Sequence, residues 1–239
     1  MIKGVFFDLY GTLLIYNDLE RSQEDGLLEI YKYLRNLGLK ISKKSFNLKW
    51  DLFVVKAKNP IKKEHLTIFE NKIYDLSIEI GLKLEDDEIR LAANKGLNTW
   101  QKYITLDPNA IPILKILKKD KILALITNFD HPPHVNSLLT KLELRDFFDS
   151  IVISGEVGVK KPNPQILSFA LKQTKLQPSE VCYVGDTIED VEAAYNAKIS
   201  PILIERQNTA KNELSYDDSI GIKYAKKIIS LKDLIKIVY

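Results

Sequence analysis

Asp8, Lys161, Asp186 and Asp190 are the residues of this 239-residue chain whose types and settings could do chemistry, and Asp8 and Asp186 come directly after short apolar runs. Asp8 opens Asp8-Leu9-Tyr10-Gly11-Thr12, in which a strand-end carboxylate precedes a glycine able to turn tightly and a threonine hydroxyl. Taken alone, such an aspartate is more often a turn or cap residue than a nucleophile. Asp186 and Asp190 stand four apart in Gly185-Asp186-Thr187-Ile188-Glu189-Asp190, which puts both on one side of a starting helix. Hard oxygen donors of this kind suit Mg²⁺, and acidic capping of the helix N-terminus is their other use. Thr127-Asn128 offers a hydroxyl and backbone N–H groups that can hold phosphate oxygens, with simple capping an equal rival. Lys161 precedes Pro162, so its backbone is biased to an extended form that could aim the ammonium across the strand ends. Lys160 competes with it for that role.

Five apolar, β-rich runs must position these groups: Ile2 to Phe7, Ile122 to Ile126, Ile151 to Ser154, Val181 to Val184 and Pro201 to Ile204. Segments long enough for crossover helices separate the later four, over Pro132 to Leu144, Pro164 to Lys175 and Ile188 to Ala197. The rhythm predicts a parallel sheet covered by helices, with ligands beyond the carboxyl ends of the strands. Between the first two runs the pattern is helical instead. Stripes at Leu27, Leu28, Ile30, Tyr31 and Leu34, at Ile68, Phe69, Ile73, Leu76 and Ile80, and at Ile89, Leu91, Ala92 and Trp100 predict an inserted helical domain. The insert is placed at residues 15–104, with Asn59-Pro60 and Gly81 as internal breaks and Asp107-Pro108 as the return, so the core comprises 1–14 and 105–239.

Composition narrows the class. The chain is 45% apolar and 28% charged, as in ordinary globular proteins, and it lacks the run of about 18 apolar residues that a membrane span needs. A signal-peptide pattern is absent from its start, so the expected setting is cytoplasmic, without membrane contact. A net charge of +3 spread over 35 basic and 32 acidic residues argues against nucleic acid and mildly favours a small anionic substrate. The runs Lys40 to Lys44 and Lys56 to Lys63 read as solvated surface, with substrate gathering as the other use. Cys182, the one cysteine, sits in Val181-Cys182-Tyr183-Val184 as a small hydrophobe. His131 and His134 follow Thr127-Asn128-Phe129-Asp130 closely enough to stand at the rim of a site. A monomer or homodimer is expected.

Four segments in order, Phe6-Phe7-Asp8-Leu9-Tyr10-Gly11-Thr12-Leu13, Leu125-Ile126-Thr127-Asn128, Lys161-Pro162-Asn163-Pro164 and Val184-Gly185-Asp186-Thr187-Ile188-Glu189-Asp190, resemble the haloacid dehalogenase-like (HAD) superfamily of phosphatases and dehalogenases. The resemblance implies an α/β, Rossmann-like parallel sheet core with an inserted α-helical cap domain. It implies that Asp8 is a nucleophile forming a covalent aspartyl intermediate, with Thr12 bracing its loop. Mg²⁺ would be bound by Asp8, the backbone carbonyl of Tyr10 and Asp186, with Asp190 as a further ligand or the anchor of a metal-bound water. Thr127, the Asn128 N–H and Lys161 would stabilise the oxygens of the transferring group.

Tyr10 departs from the phosphatase pattern, in which a second aspartate two residues after the nucleophile acts as acid and base. A phenol with an ordinary pKa near 10 donates a proton but is a poor base. Asp-x-Tyr-Gly-Thr is similar to the 2-haloacid dehalogenases of the same superfamily, which need no metal. Those enzymes carry Ser and Asn in the fourth motif, however, where this chain keeps Asp186 and Asp190. Three acids that would repel one another without a cation outweigh the tyrosine. The resulting expectation is a Mg²⁺-dependent phosphatase of small phosphorylated metabolites such as sugar or triose phosphates, with a metal-free 2-haloacid dehalogenase as the alternative.

Overall fold

Gly4–Phe7 is buried at every residue, as expected of a strand covered on both faces. The computed structural model describes residues 1–55, 63–206 and 223–239. Its strands in chain order are β1 (Gly4–Phe7), β2 (Leu14–Tyr16), β3 (Ile104–Leu106), β4 (Ile122–Thr127), β5 (Ser150–Ile153), β6 (Val181–Gly185), β7 (Ser200–Ile204) and β8 (Lys226–Ile228). Six of them form one sheet in the order β5-β4-β1-β6-β7-β8, and β2 and β3 form a separate pair. Every neighbouring pair in the large sheet is parallel. All five runs expected from the sequence are strands of it. The three-residue strands β2, β3 and β8 have no counterpart in that reading.

The helices are α1 (Leu19–Asn36), α2 (Lys43–Trp50), α3 (Ile68–Glu79), α4 (Asp86–Trp100), α5 (Ala110–Leu117), α6 (Pro132–Lys141), α7 (Ser154–Val157), α8 (Gln165–Thr174), α9 (Ile188–Asn196) and α10 (Leu234–Val238). In the sheet-bearing unit α8 packs on β4 and β5 and α9 on β6 and β7. Phe6, Ile126, Val152, Ile166, Val181 and Ala193 are buried together beneath them.

Strand order fixes where a ligand can enter. From β1 the sheet runs one way through β4 to β5 and the other way through β6 to β8, so β1 lies at the reversal, where open α/β sheets bind ligands. Phe7 pairs with Leu125 and Val184, and the Asp8 N–H donates to the Val184 carbonyl at 2.9 Å. Asp8 therefore emerges level with the last residues of both neighbouring strands.

Contacts divide the chain into two units, Met1–Asn17 with Thr105–Phe129 and Asn136–Tyr239, and Asp18–Ile104 with Asp130–Val135. The second is built on α1 to α4, whose core includes Ile30, Leu34, Phe46, Ile73, Leu76 and Ile89. Helices α1 and α4 approach closely through Gly26 and Gly96, where a Cβ on Gly96 would lie 2.4 Å from Ile30 Cδ1. Leu91, placed in the apolar stripe from sequence, is 46% exposed, and Ala93 and Gly96 face the core in its stead. The break expected at Asn59-Pro60 lies outside the described residues.

Candidate active site

The turn after β1 folds tightly because Leu13 and Leu14 both donate N–H to the Leu9 carbonyl, at 3.0 and 2.8 Å. Gly11 crosses it with φ +89°, in the left-handed region that glycine enters without strain. A second constraint also excludes a side chain there, since a Cβ on Gly11 would lie 2.0 Å from Asp186 Oδ2. The turn therefore lies directly against the first acid after β6. Thr12, fully buried, donates its hydroxyl to Asp186 Oδ1 at 3.3 Å.

Helix α9 is capped by Thr187, whose hydroxyl accepts the Asp190 N–H in a capping box. Asp190 Oδ2 accepts from the N–H groups of Asp186 and Thr187 at 3.1 and 3.0 Å and from the Thr187 hydroxyl at 2.8 Å. Asp190 Oδ1 takes the Lys161 ammonium at 2.6 Å and the Tyr183 hydroxyl at 3.2 Å. Both oxygens are thus engaged in shaping the site. The Asp186 carboxylate, by contrast, accepts from Thr12 alone among the described residues.

Lys161 is buried, whereas Lys160 is exposed, which separates the two candidates. The Lys161 ammonium donates to Asp8 Oδ1 at 2.5 Å, Asp190 Oδ1 at 2.6 Å, the Tyr183 hydroxyl at 3.0 Å and the Ile126 carbonyl at 3.3 Å. Its backbone is clipped by Asn128, which accepts the Lys161 N–H at 2.9 Å and donates to its carbonyl at 3.1 Å. Thr127 is buried at the end of β4, one residue before that clip. Asp8, Asp186 and Asp190 each offer a carboxylate oxygen within 4.8 Å of the others.

Asp8 and Asp190 share the Lys161 ammonium with Asp186 beside them, and the imbalance shows in the protonation of Asp8 and Asp186. Burial pushes Asp8 up to about 6 against the pull of Lys161, with Asp190 adding to the rise. Burial and then repulsion from Asp8 and Asp190 raise Asp186 well above the carboxylate range. Burial also works against the Lys161 charge, but Asp190 and Asp8 overcome it and hold the ammonium well above its ordinary value. A divalent cation among these oxygens would remove the repulsion, so the donor set fits Mg²⁺.

The Tyr10 ring stacks between Phe129, at 5.2 Å between centroids, and Tyr16, at 6.5 Å. Burial, Tyr16 and Asp8 raise its pKa beyond the phenol range, so its hydroxyl keeps its proton. Sequence reasoning missed Tyr183, Tyr16, Phe129 and Arg206. The signal for Tyr183 was a hydroxyl inside a strand otherwise buried and apolar, since such a group needs a partner. His131 and His134 group with the helical unit, where they bond Thr67 at 2.8 Å and Gln101 at 3.2 Å. Burial lowers both, His134 to about 4. Cys182 is buried with its thiol pushed up to about 12 by burial, in keeping with a packing role.

A human (Homo sapiens) N-acylneuraminate-9-phosphatase is 27% identical over 206 residues, covering 82% of this chain and 79% of that protein. Two solved structures share the fold at TM-score 0.68 and 22% identity. One is a HAD phosphatase from Thermococcus onnurineus, covering 99% of this chain and 98% of that one, and the other is a 2-haloacid dehalogenase from Pseudomonas syringae pv. Tomato DC3000, covering 100% and 98%. The family model described as haloacid dehalogenase-like hydrolase matches residues 2–198, and the chain belongs to that family.

Proposed function

We propose that this chain is a Mg²⁺-dependent phosphatase of small phosphorylated metabolites, such as sugar or triose phosphates, acting through an aspartyl phosphate on Asp8. The observation that carries the reading is the cluster of Asp8, Asp186 and Asp190 within 4.8 Å around a single lysine, an excess of negative charge that calls for a cation. Asp8, Asp186 and the Tyr10 carbonyl are assigned to hold Mg²⁺, and Asp190, whose oxygens are already engaged, anchors Lys161 and the start of α9. When bound, the ion would neutralise charge between the nucleophile and the phosphoryl oxygens.

Lys161 holds Asp8 Oδ1, which leaves Oδ2 to attack phosphorus and break the ester P–O bond, the departing alkoxide taking its proton from water. Lys161, Thr127 and the Asn128 N–H stabilise the phosphoryl oxygens as charge shifts. Water then cleaves the acyl phosphate, releasing orthophosphate and restoring Asp8. Tyr10 holds its proton too tightly to be a base and is a weak acid, so electrostatics rather than proton transfer carries the rate. The helical unit is assigned the role of cap, and the setting is read as cytoplasmic, in keeping with the lack of any described helix long and apolar enough to cross a membrane.

Tyr10 favours a second reading, a metal-free 2-haloacid dehalogenase in which Asp8 displaces halide. One pair of assays separates the two. Phosphate release from p-nitrophenyl phosphate that requires Mg²⁺ and is abolished by EDTA is the expected result. Halide release from 2-chloropropionate in EDTA, without phosphatase activity, would overturn it.

A further inference from the structure

Gly11 and Thr12 bring the β1 turn against Asp186, yet their carbonyls receive no backbone N–H among the described residues. One guanidinium serves both. Arg206, just past the end of β7, donates Nε–H to the Gly11 carbonyl at 3.2 Å and Nη2–H to the Thr12 carbonyl. Its third arm, Nη1, forms an ion pair with Asp107 Oδ2 at 2.6 Å, a contact of charge rather than an aligned hydrogen bond, and the Asp107 side chain is only 1% exposed. Asp107 is fixed in turn: its Oδ1 accepts the Asn109 N–H at 2.7 Å, and its own N–H donates to the Leu13 carbonyl at 2.9 Å. Three segments far apart in sequence, all within the sheet-bearing unit, therefore meet at one planar cation.

What this clamp holds is the part of the turn with least room to move. Thr12 reaches Asp186 Oδ1 at 3.3 Å, and the bare Cα face of Gly11 lies so close that a Cβ would be 2.0 Å from Oδ2. A small displacement of the turn would either break the Thr12 bond or drive backbone into the carboxylate. We propose that Arg206 is a positioning residue that acts through Gly11 and Thr12 to set Asp186 and Asp8 for metal binding, with Asp107 as the counter-ion that fixes its orientation. The inference deepens the phosphatase reading and rests on it for its kinetic consequence, but not for metal uptake.

Lysine keeps the charge facing Asp107 but cannot span two carbonyls and a carboxylate. The test compares wild type, Arg206→Lys and the double variant Arg206→Gln/Asp107→Asn, in which no buried charge is left unpaired. Each is followed by thermal melting, by calorimetric titration with MgCl₂, and by kcat and KM on p-nitrophenyl phosphate. The expected result is folded variants whose Mg²⁺ dissociation constant rises about 10-fold or more and whose kcat falls about 10- to 100-fold at nearly constant KM, the scale of a misplacement of about 1 Å. Packing alone would lower the melting temperature and leave the Mg²⁺ titration as in wild type. If folded variants titrate as wild type does, the clamp is structural and the proposal is overturned. If wild type binds Mg²⁺ but hydrolyses no phosphate ester, the phosphatase reading fails while the titration still decides the clamp. A wild type that takes up no Mg²⁺ overturns both.

Discussion

In the helical unit the buried amide of Asn71 points at the carbonyls of Lys63, Leu66 and Thr67, at 3.0 to 3.1 Å, while its oxygen accepts the Lys63 N–H at 2.9 Å. Glu70, also buried, closes a capping box on Thr67, and Ser22 and Ser77 donate to carbonyls three residues back. In the sheet-bearing unit Asp8, Asp186 and Asp190 are gathered at one strand edge with a single ammonium between them. Burial of polar groups is common to both units. The difference lies in the balance, since the helical unit's polar groups mostly complete the backbone's own hydrogen bonds, whereas the sheet's acids repel one another and invite a ligand.

Replacing Asp8 tests that contrast most severely. Asp8→Asn should lower kcat about 10⁴-fold or more by removing the nucleophile, yet raise the melting temperature of the metal-free protein, because it deletes a charge that burial and Asp190 disfavour. Steady-state assay and calorimetry on one sample check both signs. Tyr10→Asp supplies the missing acid and base, and should raise kcat about 100-fold for alkyl phosphates and much less for aryl phosphates, whose leaving groups need little protonation. A rate series over leaving groups of graded pKa reads the effect directly.

Proton linkage gives a third, smaller effect. Asp8 lies at about 6 in the fold against 3.8 unfolded, so the native state binds more protons between those values, and metal-free stability should fall as pH rises from about 4 to 7. Asp186 contributes with the same sign. Mg²⁺ binds the ionised form and reverses the trend, adding about 2.7 kcal/mol at 100 times its dissociation constant, more at pH 7.5 than at pH 5. Melting scans in EDTA and in MgCl₂ at both pH values measure it. In the helical unit Asn71→Ala should cost about 2 kcal/mol in denaturant titration and leave kcat unchanged, the mirror image of Asp8→Asn.

The parts of the site legible in the sequence are those written into local pattern. β1 and β6 are unbroken apolar runs, so the acids just past them read as strand-end groups from residue order alone, and Asp186 and Asp190 share a helix start whose spacing sets their common side. Lys161 was singled out in the sequence by the proline that follows it and the motif it opens, and its burial against the exposure of Lys160, which a pair of adjacent lysines does not encode, separates the two. Arg206 carried no local signal, because its partners Gly11, Thr12 and Asp107 lie about 100 or more residues away and are reached through the fold. Strands β2, β3 and β8 are three residues each, too short for a period to register. Tyr183 carried a signal in its hydroxyl, but its partners Lys161, Ile126 and Asp190 are brought to it only by the fold.

The pairing of β2 with β3 bears on how such a chain could be recombined. These two short strands bracket the long insertion, and Asn17 and Thr105 bond across its mouth at 3.3 Å, so a foreign module could be spliced between ends already held side by side. Such a graft would have a hidden third junction. Asp130 bonds Lys72 at 2.7 Å and His131 bonds Thr67 at 2.8 Å, so exchanging Asp18–Ile104 alone would strand Asp130–Val135 without its partners. The unit of exchange is two discontinuous pieces, and shuffling that respects only the long one would produce mismatched chimeras.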